Sequence, residues 1–164
     1  MNKKIIIVAT VLLATVFVSG CINTPLDNIN DIMPTLSQNI EKGNLNFNEA
    51  VRYSNKQDYN TAEEKVQIAS TSFLDAQNNL LNIRNYRNNI NDTLYLQYLN
   101  LVEEELNLKQ NATTNLQLSI QAFKNGDKSL ANGYVSKANS LMKQAIGIQN
   151  QRENLVKNNP NKFK

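Results

Sequence analysis

Few side chains in this sequence of 164 residues could carry out chemistry. There is no His, and Cys21 is the single Cys. Because imidazole and thiolate groups supply most transition-metal ligands and much of the nucleophilic and acid–base catalysis near neutral pH, this composition excludes many enzyme classes. Runs of Glu occupy residues 63–64 and 103–105, and adjacent residues on a helix point about 100° apart. We therefore expect a solvated carboxylate face, with no catalytic site, no metal and no cofactor.

The first twenty residues have the pattern of an export signal. Two basic residues, Lys3 and Lys4, precede an apolar run from Ile5 to Val18 that only two Thr interrupt. As a helix, this run would span roughly 21 Å, less than the roughly 30 Å hydrocarbon layer of a bilayer. The run therefore suits a cleaved signal better than a stable membrane span.

The residues that end this run, Val18-Ser19-Gly20-Cys21, resemble the lipobox of prokaryotic membrane lipoproteins. The resemblance implies that residues 1–20 are removed and that the Cys21 thiol carries a diacylglyceryl group. Two acyl chains are sufficient for stable attachment to a membrane. We therefore expect a protein anchored to the cell membrane on its extracytoplasmic face. An ordinary secretory signal and an uncleaved anchor helix are the alternatives.

The charge balance gives no indication of a polyanionic partner. The whole chain has 17 basic and 14 acidic residues, and removal of Lys3 and Lys4 reduces the balance to 15 against 14. Nucleic-acid binding requires a concentrated basic face. We therefore expect no nucleic-acid partner.

Two Asn residues lie in sequons for N-linked glycosylation. Asn91 is followed by Asp and Thr, and Asn111 by Ala and Thr. Asn91 falls in an expected loop between helices, and Asn111 lies off the apolar stripes of its helix. Both could therefore be exposed acceptors on a cell surface, although some matches arise by chance in a chain with 29 Asn.

Apolar residues repeat with the helical period from residue 34 onwards. Pro is absent from residues 35–159, and no alternating β-branched run marks a strand. One heptad seam consists of Ala62, Val66, Ala69, Phe73, Ala76, Leu80 and Ile83. The pattern predicts an all-α fold, a bundle of four long antiparallel helices near residues 34–56, 59–90, 93–124 and 128–157.

Helix-terminating residues refine this prediction. Pro34 suits a first helical turn, Asp58 and Asp127 mark the turns, and Asp92 or Thr93 can cap the third helix. The resulting organisation is a signal peptide at 1–20, an extended lipidated tether at 21–33, a helical bundle at 34–157 and a C-terminal tail at 158–164.

The third helix departs from a simple seam at several polar positions. Lys109 and Thr113 interrupt its apolar stripe, whereas Tyr95 and Tyr98 fall on it. Because they lie on this stripe, we interpret the two tyrosines as the edge of the core and not as a ligand platform.

An internal repeat relates the two halves of the bundle. Asp58, Ala62, Val66, Ala69, Phe73 and Ala76 recur in the same order and at the same spacing as Asp127, Ala131, Val135, Ala138, Met142 and Ala145. The repeat predicts two similar helical hairpins in which Phe73 and Met142 fill the interface between helices.

Each hairpin turn and the helical segments beside it also resemble part of a tetratricopeptide repeat. The small, aromatic and Ala positions of that family correspond to Ala50, Tyr53, Tyr59, Ala62, Val66 and Ala69. The family's Trp position holds Asn46 in one copy and Asn115 in the other. The resemblance implies shared helix-turn-helix packing and, through the family's role, binding of peptides or proteins.

These features together favour a non-catalytic protein of the cell envelope. We expect a lipid-anchored helical binding or scaffold module whose partners are envelope proteins and, through Cys21, the membrane. The alternative is an extracytoplasmic carrier or chaperone-like holder of a small hydrophobic ligand or peptide. A carrier requires an internal cavity, whereas Ala-rich seams favour close packing.

Overall fold

The computed structural model describes residues 25–87, 90 and 92–163, and these residues form four long helices. The helices are α1 (Pro25–Asn55), α2 (Tyr59–Arg87), α3 (Thr93–Lys124) and α4 (Lys128–Asn158). No strand occurs among the described residues. The prediction of an all-α bundle of four long helices is confirmed. No helix in this part of the chain has both the length and the hydropathy needed to cross a bilayer.

The first helix begins earlier than the sequence indicated. The extended tether expected up to residue 33 is wrong for Pro25–Met33, because α1 already begins at Pro25 and contains Pro34 in its interior. Ile29 and Met33 continue the apolar stripe of α1 and are buried. Their burial offsets the cost of an internal proline, which is about 3 kcal/mol.

The connection between α2 and α3 is also longer than expected. The second helix ends at Arg87, short of the predicted residue 90, and Ile90 is buried outside any helix. Asp92 caps α3, as predicted, because its Oδ1 accepts hydrogen bonds from the backbone N–H groups of Leu94 at 2.9 Å and Tyr95 at 3.3 Å.

Consecutive helices pack against each other in antiparallel order. The close pairs are α1 with α2 and α3 with α4, and α2 packs along α3, whereas α1 and α4 make no contact within the described residues. The start of α1, the α2–α3 connection and the end of α4 therefore lie at one end of the molecule. The two hairpin turns lie at the other end, about 45 Å away at 1.5 Å per helical residue.

Polar pairs mark the outer side of the α2–α3 interface along its whole length. From the turn end to the opposite end, the contacting side chains are Glu63 with Lys124, Gln67 with Gln117, Ser70 with Gln110, Gln77 with Asn107, and Arg84 with Glu103. Such pairs, most of them exposed, contribute little stability individually. Most of the stability of this interface therefore comes from the apolar core, which is continuous across all four helices.

The two hairpin turns have the same backbone geometry. Gln57 has φ of 63°, and Gly126, the equivalent residue of the second hairpin, has φ of 80°. The N–H of Asp58 donates to the Tyr53 carbonyl at 3.1 Å, and at the equivalent positions the N–H of Asp127 donates to the Ala122 carbonyl at 3.0 Å. Both Asp side chains also cap the helix that follows, at 3.2 Å and 2.9 Å. The prediction of two repeated hairpins is confirmed at the level of individual hydrogen bonds.

The α1–α2 seam is closed by a Gly facing a Phe. A Cβ atom added to Gly43 would lie 2.5 Å from Cε1 of Phe73, and Phe73 is fully buried. The equivalent positions in the second hairpin are Ala112 and Met142, and both of these side chains are also fully buried. Each hairpin therefore combines a small residue on one helix with a large one on the next, but the two combinations differ.

Candidate functional site: a buried charge network between α3 and α4

Only some of the candidate site residues identified from the sequence lie within the described residues. Cys21 and Asn91 lie outside the described residues. Asn111 is exposed on α3. The third residue of its sequon, Thr113, is buried and its hydroxyl donates to the Lys109 carbonyl at 2.8 Å. An enzyme that needs an extended sequon would therefore have to unwind α3 at this point.

The acidic run on α3 is only partly a solvated face. Glu104 is exposed and Glu103 pairs with Arg84 near the surface. The expectation is wrong for Glu105, whose side chain is fully buried. The reason is helical geometry, since Glu105 follows Tyr98 by two helical turns and therefore lies on the same buried face of α3.

Glu105 joins α3 to α4 through two cations. Its Oε1 lies 2.6 Å from Nζ of Lys109, one turn further along α3, and both side chains are fully buried. Its Oε2 accepts a hydrogen bond from Nε of Arg152 on α4 at 2.9 Å. Arg152 in turn donates from Nη1 to the Tyr98 hydroxyl at 3.4 Å. One carboxylate therefore contacts an ammonium group and a guanidinium group inside the bundle.

A second series of hydrogen bonds in the network leads from Lys109 towards the surface. Lys109 donates from Nζ to Oε1 of Gln149 at 3.4 Å. Gln149 then donates from Nε2 to Oε1 of Glu153 at 2.9 Å, and Glu153 is half-buried. A second carboxylate is therefore linked to the buried ammonium group through an amide.

Burial and charge shift the protonation equilibria of the network in different directions. Burial lowers the pKa of Lys109, and attraction to Glu105 opposes that shift. Burial also disfavours the charged form of Arg152, but Glu105 and Tyr98 outweigh it, so the pKa of Arg152 is raised. Burial raises the pKa of the Tyr98 hydroxyl. Arg152 is therefore the permanent cation beside Glu105, while Lys109 holds its proton less tightly than an exposed Lys.

The C-terminal tail covers the end of the network. Phe163 is buried, and its ring centroid lies 5.5 Å from that of Tyr98 and 6.2 Å from that of Tyr95. Lys162 forms an ion pair of 2.8 Å with Asp92, and this bond holds the pKa of Asp92 below its usual range. The tail is therefore docked onto the start of α3. The interpretation of Tyr95 and Tyr98 as core residues agrees with their burial.

The first hairpin has an apolar layer at the positions that the second hairpin uses for charge. The repeat that aligns Asp58 with Asp127 also aligns each buried residue of the network with a buried aliphatic side chain of the first hairpin. Ile29, Leu36, Ile40, Leu80 and Ile83 correspond to Tyr98, Glu105, Lys109, Gln149 and Arg152. The helix-hairpin architecture therefore does not itself require the network.

Sequence reasoning missed Glu105, Gln149 and Arg152 as a group. One signal was present, because Glu105 and Lys109 are one helical turn apart and Lys109 interrupts the apolar stripe. The repeat carried a second signal, since polar residues replace aliphatic ones on both helices of the second hairpin. Neither signal identifies the partner, because Arg152 is 47 residues from Glu105.

The described surface has a shallow depression between α2 and α3. Its volume is about 210 Å³, and its lining includes Leu81, Arg84, Glu103 and Asn107. Pockets that bury a drug-sized ligand usually measure about 300 to 1,000 Å³. Among the described residues there is also no group of three or more His, Cys, Asp or Glu arranged to hold a metal ion.

Comparison with protein-family models, with curated proteins and with solved structures gave no match.

Proposed function

We propose that this protein is a lipid-anchored, non-catalytic scaffold or binding module of the cell envelope, exposed on the extracytoplasmic face of the membrane. The observation that carries the proposal is the antiparallel order of the helices. It brings the start of α1 to one end of the molecule and both hairpin turns to the other. A lipid on Cys21, just before Pro25, would hold the first end at the membrane. The turns would then project about 45 Å into the envelope.

Two closely packed layers between the described helices favour a scaffold over a carrier. The Phe73 ring fits against Gly43 with no space for one further carbon atom. The equivalent layer of the second hairpin is filled by Ala112 and Met142, both fully buried. A carrier of a small hydrophobic ligand or peptide would have to open one of these seams, and that would expose apolar surface at a cost of about 25 cal/mol per Å².

The anchor is tested by fractionation of cells that express Cys21→Ser. We expect this variant to leave the membrane fraction, because the acyl chains provide the attachment, while its circular dichroism stays helical. Asn23→Ala, close by in the chain, is the matched control and should remain membrane-bound. Retention of uncleaved Cys21→Ser in the membrane would indicate an anchor helix and contradict lipid attachment.

The scaffold role is tested with a photo-crosslinking residue at Lys56 or Lys128 in the exposed turns, and with one at Lys157 near the opposite end as the control. Capture of specific envelope proteins from the turn positions, but not from Lys157, would support the proposal. A saturable rise in melting temperature with a small hydrophobic molecule would instead support the carrier, because a ligand that binds only the native state stabilises it by mass action.

A further inference from the structure

The buried charge network of the second hairpin has no charged counterpart at the equivalent positions of the first hairpin. An apolar layer at the equivalent positions packs the α1–α2 seam without buried charge. Replacing a buried ion pair with well-packed apolar residues is often neutral or stabilising. The α3–α4 seam therefore gains no stability from charge that aliphatic residues could not supply.

The repeat also creates an ambiguity in helix pairing. All four helices carry the same heptad spacing. The α2 face that packs on α1 could therefore meet the α3 face that packs on α4, and α1 could meet α4; these two antiparallel seams are alternatives to the observed pairing. In the first alternative, Glu105 and Lys109 would face Leu80 and Ile83 of α2. In the second, Arg152 of α4 would face the aliphatic side chains of α1. Glu105 would keep Lys109, its ion-pair partner on the same helix, but the α1–α4 seam would bury the Arg152 cation without a carboxylate, which is strongly destabilising.

The layer that contains Gly43 and Phe73 also distinguishes the observed helix pairing from the alternatives, through the shapes of its side chains. If α3 were paired with α2, the Cβ of Ala112 would face the Phe73 ring, where the structure has no room for a Cβ atom at Gly43. If α1 were paired with α4, Gly43 would face Met142 and leave unfilled space. Cores tolerate errors of shape better than unpaired buried charge, because side chains can relax.

We infer that the Glu105–Lys109–Gln149–Arg152 network is the pairing determinant of this fold: it makes the face of α3 that carries Glu105 and Lys109 pack on α4 and not on α2, and so prevents exchange with the equivalent helices of the first hairpin. The Phe163 tail supports this role, because it keeps water from the end of the network and so keeps unpaired charge costly.

The test uses disulfides that report which helices are paired. In the Cys21→Ser chain, Glu49→Cys with Lys65→Cys reports the observed α1–α2 pairing, since these side chains form an ion pair of 3.0 Å. Tyr134 is the repeat equivalent of Lys65 and lies on α4, which α1 does not contact. Glu49→Cys with Tyr134→Cys therefore reports the wrong pairing, and we expect it not to form in the otherwise native chain.

Two variants then give the α1–α2 and α3–α4 seams the same residue types at four network positions. In the first, the network takes the aliphatic residues of the first hairpin through Glu105→Leu, Lys109→Ile, Gln149→Leu and Arg152→Ile. In the second, the first hairpin takes the network through Leu36→Glu, Ile40→Lys, Leu80→Gln and Ile83→Arg.

In each variant, we expect the fraction of chains with the disulfide between positions 49 and 134 to rise by tenfold or more at redox equilibrium, whether the bond forms within one chain or between two. A tenfold rise corresponds to a loss of about 1.4 kcal/mol in the preference for the observed helix pairing. We also expect the first variant to melt no lower than the native chain. If both variants are helical and form only the Glu49–Lys65 disulfide, the inference is overturned. If one variant is insoluble, the other decides alone, because each independently removes the difference between the seams.

Discussion

The contact of Gly43 with Phe73 allows a prediction whose sign depends on two opposing effects. Gly43→Ala in a helix interior gains about 1 kcal/mol of helix propensity. The new Cβ, however, would lie 2.5, 2.6 and 2.8 Å from three ring atoms of Phe73, about 1 Å inside a normal carbon–carbon contact. Because the ring is fully buried, it can move only by displacing other core residues, and such overpacking costs about 1 to 3 kcal/mol. We expect Gly43→Ala to destabilise the fold by about 1 kcal/mol net, which lowers the melting temperature by roughly 2 to 5 °C.

Thermal and denaturant unfolding of the Cys21→Ser chain would measure this effect. Gly133→Ala on α4 is the matched control, because no heavy atom lies within 4 Å of its added Cβ, and it should stabilise by up to about 1 kcal/mol. The double variant Gly43→Ala with Phe73→Met copies Ala112 and Met142, and it should be more stable than the sum of the single effects predicts. A gain from Gly43→Ala equal to that from Gly133→Ala would show that the seam is not closed at this layer, and would remove the packing argument against a carrier.

Further predictions concern the turns and the tyrosines. Gln57→Gly should stabilise the fold by about 1 kcal/mol because it relieves a positive φ, whereas Gly126→Ala at the equivalent turn should destabilise it by a similar amount; equal effects of one sign would contradict the shared turn geometry. Tyr95→Phe should be neutral or stabilising near pH 7, because the buried Tyr95 hydroxyl has no hydrogen-bond partner among the described residues, whereas Tyr98→Phe should cost about 1 kcal/mol because it removes the acceptor of Arg152. Burial raises the pKa of both tyrosines above the ordinary value of 10.0, so the native state holds these protons more tightly than the unfolded chain does. Stability should therefore fall as the pH rises above about 10, and denaturant midpoints should fall less steeply in Tyr95→Phe.

Local sequence signals were sufficient to predict the presence of four helices and the internal repeat. Period and capping residues predicted α3 as observed, from Thr93 to Lys124 with Asp92 at its cap. The error at the start of α1 arose because Pro34 was interpreted as a helix start, whereas burial of Ile29 and Met33 carries the helix back to Pro25. A rule based on local propensity cannot weigh that burial, because the surfaces that cover these residues lie on other parts of the chain.

The candidate site was much less predictable, for the same physical reason. A run of three Glu is ordinarily solvated, and only the rotation of α3 within the bundle decides that Glu105 is the one that faces inwards. Its cation Arg152 comes from α4, and the aromatic cover comes from Phe163 in the tail. These contacts connect residues far apart in the chain, so no local pattern contains them.

The two hairpins provide an internal comparison of how a heptad seam can be made specific. Charge should discriminate between pairings more strongly than shape does, because an uncompensated buried charge costs about 3 to 5 kcal/mol, whereas an overpacked or underfilled layer costs about 1 to 3 kcal/mol. The layer containing Gly43 and Phe73 therefore adjusts the strength of each pairing, and the layer containing Glu105 and Arg152 decides between pairings. A repeated hairpin needs only one charged seam for this purpose, because the described residues form just two hairpin seams, α1–α2 and α3–α4, that have to be distinguished. This explains why a single ionic layer coexists with an aliphatic one at the equivalent positions.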